Sequence, residues 1–190
     1  MLDRRAAIQA LLADRRGLLV VAGLGSTTYD LASLGDDDRN FYLWGAMGGA
    51  AMIGLGLALA RPERRVAVIT GDGEMLMGMG SLATIGVMQP ANLAIVVFDN
   101  GLYGETGMQQ SHSGRGADLA GIAQACGIGL VRQAATMDEL GRLATLLHQA
   151  DRTLFARIAI APAEPPRVLP TRDGVHLKLR FRHALGLGPA

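Results

Sequence analysis

Two apolar runs stand out in the pattern of hydrophobic and polar positions. Arg65 to Thr70 carries Val66-Ala67-Val68-Ile69, and Leu93 to Phe98 is apolar throughout. Both are short, continuous and rich in β-branched residues, as strands buried on two faces require. Further elements alternate around them. Ala6 to Ala13 predicts a short helix. Gly17 to Val21 predicts a strand, running into the turn Ala22-Gly23-Leu24-Gly25-Ser26-Thr27-Thr28. Tyr42-Leu43-Trp44 predicts a short strand. Gly45 then opens a helix reaching about Ala60 and ended by Arg61-Pro62. Leu76 to Met88 predicts a helix stopped at Gln89-Pro90. A polar, Gly-rich loop follows from Asp99 to about Gly116, long enough to expect a functional role. Ala117 to Ala125 and Met137 to Gln149 predict helices, the second with Thr136 as N-cap and Asp138-Glu139 in its first turn. Leu154 to Ile160 predicts the last strand. Such alternation specifies an α/β fold, a doubly wound parallel sheet with helices on both faces. One ligand-binding domain is expected over residues 1–165. Residues 166–190 are expected to form a basic C-terminal arm packed on the domain or on a partner.

Composition narrows the picture. A chain of 190 residues, 49% hydrophobic, supports one domain with a substantial core. Its net charge of +1 gives no field for nucleic acid or an anionic membrane. The apolar run from Gly48 to Ala60 is too short and too Gly-rich for a membrane span. The single Cys126 excludes an intrachain disulfide or a cysteine-based metal cluster, and reads as a packed thiol at a helix end. The N-terminus lacks an apolar secretion segment, so a cytoplasmic enzyme component is expected.

The candidate chemistry lies just past the two strongest strands. Gly71-Asp72-Gly73-Glu74 follows the first, and Asn100 follows the second. A carboxylate and an amide oxygen at adjacent strand ends suit Mg²⁺ bound together with a diphosphate. Asp72 supplies a charged oxygen, Asn100 a neutral one, and the next turn a backbone carbonyl, assigned to Leu102. Gly71 and Gly73 let the backbone approach the phosphates closely. The helix after Gly73 directs N–H groups toward an anion. Glu74 reads as a first-turn helix acid whose backbone, rather than its side chain, lies near phosphate. Glu105 reads as a solvated loop residue, and Met75, Leu76, Met77 and Met79 as core or interface.

Taken together, Gly71-Asp72-Gly73 followed nearly thirty residues later by Asn100 resembles the diphosphate-binding domain of the thiamine-diphosphate-dependent enzymes. Three more segments carry the likeness. Gly25-Ser26-Thr27 resembles the family's small-residue diphosphate turn. Leu43-Trp44-Gly45-Ala46-Met47-Gly48 resembles the segment beneath the aminopyrimidine ring. Asp99-Asn100-Gly101-Leu102-Tyr103-Gly104-Glu105-Thr106-Gly107 resembles the loop of the sulfopyruvate and phosphonopyruvate decarboxylase subgroup, as do Arg115 to Ala120 and the tail. The resemblance implies a thiamine-diphosphate-binding fold with Mg²⁺ held by Asp72, Asn100 and Leu102. It implies cofactor contacts from Gly25, Ser26, Thr27, Gly45, Met47, Gly71, Asp72, Gly73, Glu74, Asn100, Leu102 and Tyr103. Gly45 carbonyl and Met47 N–H are implied to bind the ring edge, with the Met47 side chain wedged between the two rings. Two positions depart from the pattern. Asp99 stands where the family usually has Asn, which adds a negative charge. Met108 stands where the subgroup often has Gly or Asn.

The same resemblance implies that half of the site is elsewhere. In the family a Glu from a second, pyrimidine-binding domain activates the cofactor, and no segment here matches that domain. A hetero-oligomer with a separate pyrimidine-binding chain is therefore expected, acting on a small 2-oxoacid to release CO₂ and an aldehyde. No residue of this chain is certainly catalytic; His112 and Arg115 are the candidates, Arg115 for an anionic substrate group. The alternatives are a subunit of a carboligase or oxidoreductase that uses the same cofactor, and a catalytically silent cofactor-binding module.

Overall fold

The computed structural model describes residues 1–188. In chain order it contains α1 (Arg4–Leu11), β1 (Leu19–Ala22), α2 (Ser26–Ala32), β2 (Asn40–Tyr42), α3 (Ala50–Ala60) and β3 (Val66–Gly71). Then follow α4 (Asp72–Met77), α5 (Ser81–Met88), β4 (Leu93–Asp99), the short β5 (Leu102–Tyr103) and β6 (Gln109–Gln110), and α6 (Leu119–Ala125). The chain closes with β7 (Leu130–Ala134), α7 (Met137–Gln149), β8 (Leu154–Ala159) and α8 (Gly174–Ala184). Six strands form one parallel sheet in the order β2-β1-β3-β4-β8-β7.

Successive strand residues point to opposite faces, and each face is covered. Val20, Ala22, Ile69, Val96 and Ile158 face a layer built by α1, α2 and α7. Leu19, Val21, Val68, Ile95 and Phe155 face the layer of α3, α5 and α6. This two-sided burial explains why the central strands are continuously apolar rather than alternating. Among the described residues no helix is long and apolar enough to cross a membrane.

The expected doubly wound sheet is present, with local differences. Gly45 does not open α3, which starts at Ala50, because Ala46 and Gly48 take left-handed φ values of 50° and 89°. The helix expected over Leu76 to Met88 is two helices broken at Gly78 to Gly80. The break has a packing cause: a β-carbon on Gly78 would lie 2.1 Å from the Gly48 carbonyl oxygen. Ser26-Thr27-Thr28 is the start of a helix rather than only a turn. Strand β7 was not expected; it is an edge strand with exposed Arg132 and Gln133, so its apolar pattern is interrupted. The loop after Asp99 folds into the antiparallel pair β5–β6 and two short 3₁₀ turns.

Residues 161–173 run across the sheet edge without regular structure, and α8 then packs back on the domain. Leu177 and Phe181 are buried, and Phe181 meets Phe41 of β2 edge-on at 5.6 Å. Arg180 reaches the Asn40 carbonyl at 3.2 Å. The helix thereby covers β2, the other edge of the sheet. The last two residues of the expected arm, 189–190, lie outside the described residues.

Candidate active site

The strand order reverses at β1. From there the chain passes to β2 on one side and to β3 on the other, and this is where open parallel sheets bind ligands, beyond the carboxyl ends of the strands. Four segments converge on that edge: Gly23 to Ser26 after β1, Leu43 to Met47 after β2, Gly71 to Glu74 after β3 and Asp99 to Tyr103 after β4. Backbone hydrogen bonds set their heights. Gly23 N–H donates to Ile69 at 2.8 Å, and Leu43 N–H to Ala22 at 3.0 Å.

Contacts between the segments are close. A β-carbon on Gly73 would lie 2.8 Å from the Tyr103 ring and 3.9 Å from Met47 Cε. Met47, Gly73 and Tyr103 therefore share one spot, with Met47 42% exposed above it. Gly45 is exposed, and Ala46 beside it holds its left-handed φ through a Gly49 N–H bond to its carbonyl at 2.8 Å. Strain of this kind in a non-glycine residue, about 1–3 kcal/mol, collects at ligand clamps. Gly25 has φ 80° and lies against the Glu105 side chain. Ser26 is half-buried at the start of α2. The hydroxyls of Thr27 and Thr28 both donate to the Gly23 carbonyl, at 3.1 and 2.8 Å.

Asp72 is buried at the start of α4. Its Oδ2 accepts from Ser111 Oγ at 2.5 Å and from Ser113 Oγ at 2.8 Å. Burial pushes its carboxyl above the ordinary range; the two serine hydroxyls oppose that rise and the nearby Asp99 adds to it. Asn100 Oδ1 accepts from Leu102 N–H at 2.9 Å, which fixes the amide against the next turn. Ser111 N–H bonds the Gly101 carbonyl at 2.8 Å, so Leu102 and Gln110 are the non-bonded pair of the β5–β6 ladder. The Leu102 carbonyl accordingly faces away from Gln110. One carboxylate, one amide oxygen and one outward carbonyl are a donor set that fits Mg²⁺ sharing its shell with a diphosphate. Among the described residues no group of three or more His, Cys, Asp or Glu side chains could hold a metal by itself.

The extra charge of Asp99 is matched. Arg157 of β8 places Nε 2.5 Å from Asp99 Oδ2, while Asp99 Oδ1 accepts from Gly101 N–H at 2.9 Å and lies 2.8 Å from Ser113 Oγ, whose single proton goes to Asp72 or to Asp99 at any one time. Arg157 was not singled out from the sequence, although a lone charge inside the apolar run Leu154 to Ala159 signals a partner on a neighbouring strand. Ser111 and Ser113 gave no such signal. Glu74 lies in the first turn of α4, as expected, but its side chain turns inward. Its carboxylate is buried, accepts from Thr70 Oγ1 at 2.9 Å, and lies beneath Gly23. Burial raises its pKa, opposed by Thr70 and by the backbone N–H groups of Ala50, Gly48 and Leu24.

His112 is exposed and its Nδ1 lies 2.5 Å from the Tyr103 hydroxyl. Arg115 is exposed at the end of the second 3₁₀ turn. Glu105 pairs with Arg167 at 3.2 Å, and Arg167 also covers the Tyr29 ring at 5.4 Å. Trp44 N–H donates to the Thr171 carbonyl at 2.8 Å with Arg172 over its ring at 5.0 Å. The segment before α8 therefore rests on residues flanking two of the four converging segments.

Residues 24–155 match the family model described as "Thiamine pyrophosphate enzyme, C-terminal TPP binding domain". The chain belongs to this family. It is 41% identical, over 98% of its length, to the phosphonopyruvate decarboxylase of Streptomyces viridochromogenes. It is 38% identical to the sulfopyruvate decarboxylase subunit beta of Methanothermobacter thermautotrophicus, over 85% of this chain and 84% of that protein. The chain spans only about half the length of several relatives, 47% of the Streptomyces viridochromogenes protein among them. A putative thiamin diphosphate-dependent enzyme from Mycobacterium smegmatis shares the fold, with a TM-score of 0.72 and 22% identity over 85% of this chain and 32% of that one. Membership of the family agrees with the resemblance carried by the four converging segments.

Proposed function

We propose that this chain is the thiamine-diphosphate-holding half of a 2-oxoacid decarboxylase. The observation that carries the reading is the convergence of Asp72, Asn100, the Leu102 carbonyl, the Ser26 turn and the Gly45–Met47 segment at the reversal point of the sheet. In the proposal Asp72, Asn100 and Leu102 hold Mg²⁺ against the diphosphate, while Gly25, Ser26, Thr27, Gly71, Gly73 and the Glu74 backbone line its bed. Gly45, Met47 and Tyr103 sit at the ring end. Thiamine diphosphate, when bound, supplies the electron sink that lets CO₂ leave a 2-oxoacid.

The chain's own residues bind, orient and exclude water. Asp72 brings the one carboxylate oxygen of the metal site, and burial keeps solvent from it. Met47 and Tyr103 give an apolar wall on the reacting side. His112 and Arg115, both exposed on the loop above, face the substrate side; an Arg there suits a carboxylate, sulfonate or phosphonate. The acid that activates the cofactor comes, in this reading, from a pyrimidine-binding partner chain. The names of the relatives favour a small 2-oxoacid with a second anionic group, sulfopyruvate or phosphonopyruvate. The reaction is assigned to the cytoplasm.

The test is reconstitution. The full chain is mixed with the candidate partner chain, Mg²⁺ and thiamine diphosphate, and CO₂ and aldehyde are measured from sulfopyruvate and phosphonopyruvate. Stoichiometric CO₂ and aldehyde, lost in Asp72→Ala, support the proposal. An acyloin or acyl-thioester product, or no turnover with any 2-oxoacid, counts against it.

A further inference from the structure

Three consecutive loop residues connect the metal-site carboxylate to the substrate side. Ser111 and Ser113 both place their hydroxyls on Asp72 Oδ2, at 2.5 and 2.8 Å; the two hydroxyls lie 2.8 Å apart, and Ser113 Oγ also lies 2.8 Å from Asp99 Oδ1. Ser111 is fully buried. His112, between them, is exposed and meets the Tyr103 hydroxyl through Nδ1, with the two rings edge-on at 6.1 Å. Tyr103 in turn packs against Gly73, the residue after Asp72, where no β-carbon would fit. Both ends of the His112 support therefore return to the Asp72–Gly73 turn. One path runs through the flanking serines and the other through the tyrosine.

We propose that Ser111 and Ser113 are positioning residues that latch His112 to the Asp72 carboxylate, and that Tyr103 fixes the ring so that Nε2–H is presented to an anionic oxygen of the substrate. The proposal rests on the reading of this edge as a thiamine-diphosphate centre. A phenol is the better donor and an imidazole nitrogen the better acceptor, so Tyr103 donates to Nδ1. The neutral ring then keeps its proton on Nε2, on the side away from Tyr103. A donor there matches the carboxylate or second anionic group of a small 2-oxoacid. The serines also act on the metal: groups that hold a ligating carboxylate commonly change metal affinity 10–100-fold when removed.

Two measurements that need no turnover test this. Long-range ¹H–¹⁵N NMR of the metal-free full chain, with His112 assigned by comparison with His112→Gln, reports the tautomer. The Nε2–H form is expected in the wild type and in Ser113→Thr, with loss of that preference in Tyr103→Phe and in Ser113→Ala. Mn²⁺ titration followed by EPR, with thiamine diphosphate present, is expected to show affinity about 10–100-fold weaker in Ser111→Ala/Ser113→Ala. Ser113 is only half-buried, so its single variant keeps the test available if the double variant does not fold. An unchanged tautomer in Ser113→Ala overturns the latch, and so does an unchanged Mn²⁺ affinity in a folded double variant. Failure of decarboxylation with both signatures intact rejects the proposed reaction and leaves the latch standing.

Discussion

The Glu74 carboxylate lies directly on the backbone of Gly23: a β-carbon added at Gly23 would stand 1.6 Å from Glu74 Oε2. The contact joins the turn after β1 to the turn after β3. The carboxylate itself is buried beneath Gly23, with Thr70 Oγ1 donating to Oε2 at 2.9 Å. One buried acid thus sets the relative position of two of the four converging segments.

Gly23→Ala is expected to destabilise the chain by at least about 2–3 kcal/mol, because neither the strand end nor the buried carboxylate can give way freely. Gly23→Ala/Glu74→Ala is expected to be less damaging than the sum of the two single changes, since the second removes the clash. Urea denaturation of the four proteins checks this. Strict additivity would show that the contact does not set the turn.

Stability of the metal-free chain is expected to fall as pH rises above the ordinary carboxylate range, about 4. Burial raises the pKa of Asp72, of Glu74 and of Asp30, the last in spite of Arg4. A carboxyl that holds its proton more tightly when folded contributes stability below its unfolded pKa, about 4, and loses it as pH rises through the folded value. Asp37 has the opposite sign. Its hydrogen bonds to Arg39 hold it at about 2, so its contribution is complete above pH 4 and lost only at lower pH. Thermal unfolding without metal, followed as pH is raised from about 4, should therefore give a falling Tm, and a steadily rising one would contradict the burial argument. Saturating Mg²⁺ and thiamine diphosphate should remove the share of Asp72 and leave those of Glu74 and Asp30.

Thr136→Ala is expected to cost about 1 kcal/mol, with no change in cofactor affinity. Thr136 and Glu139 form a reciprocal capping box on α7, which packs on β7 and β8 away from the converging segments. Denaturation and cofactor titration measured together separate the two effects. A loss of affinity in this variant would mean that α7 is coupled to the site.

Phe181→Ala is expected to destabilise by about 3 kcal/mol through loss of the buried ring against Phe41. It also tests whether α8 belongs to this domain. An unchanged Tm, with α8 becoming sensitive to protease, would instead mark α8 as an appendage.

Sequence pattern made the central strands legible, because a strand buried on both faces is a continuous apolar run and β3, β4 and β8 have no other reading. Helix α7 matched its expected limits because Thr136 and Glu139 mark its start chemically. The candidate metal donors were legible for the same reason as the strands: Asp72 and Asn100 follow two unmistakable strand ends. What remained hidden depends on tertiary contact. Nothing in Ser111-His112-Ser113 announces that its two serines turn inward. A Glu in a first helical turn is ordinarily solvated, and only Gly23 and Thr70 show why Glu74 is not. Arg157 was the overlooked signal, since a lone charge in an apolar strand requires an acid nearby. Met108 has φ 61°, a conformation that suits the Gly or Asn of the subgroup, so this departure places local strain in the loop.

The central claim is that the metal and the diphosphate are held by this chain through Asp72 and Asn100. Calorimetric titration of the full chain with thiamine diphosphate, with and without Mg²⁺, tests it most directly, comparing the wild type with Asp72→Ala and Asn100→Ala. The account predicts binding that requires Mg²⁺, and in each variant a loss beyond the 10–100-fold typical of changes outside the metal's own ligands. Binding that persists without Mg²⁺, or that matches the wild type in Asp72→Ala, would contradict it.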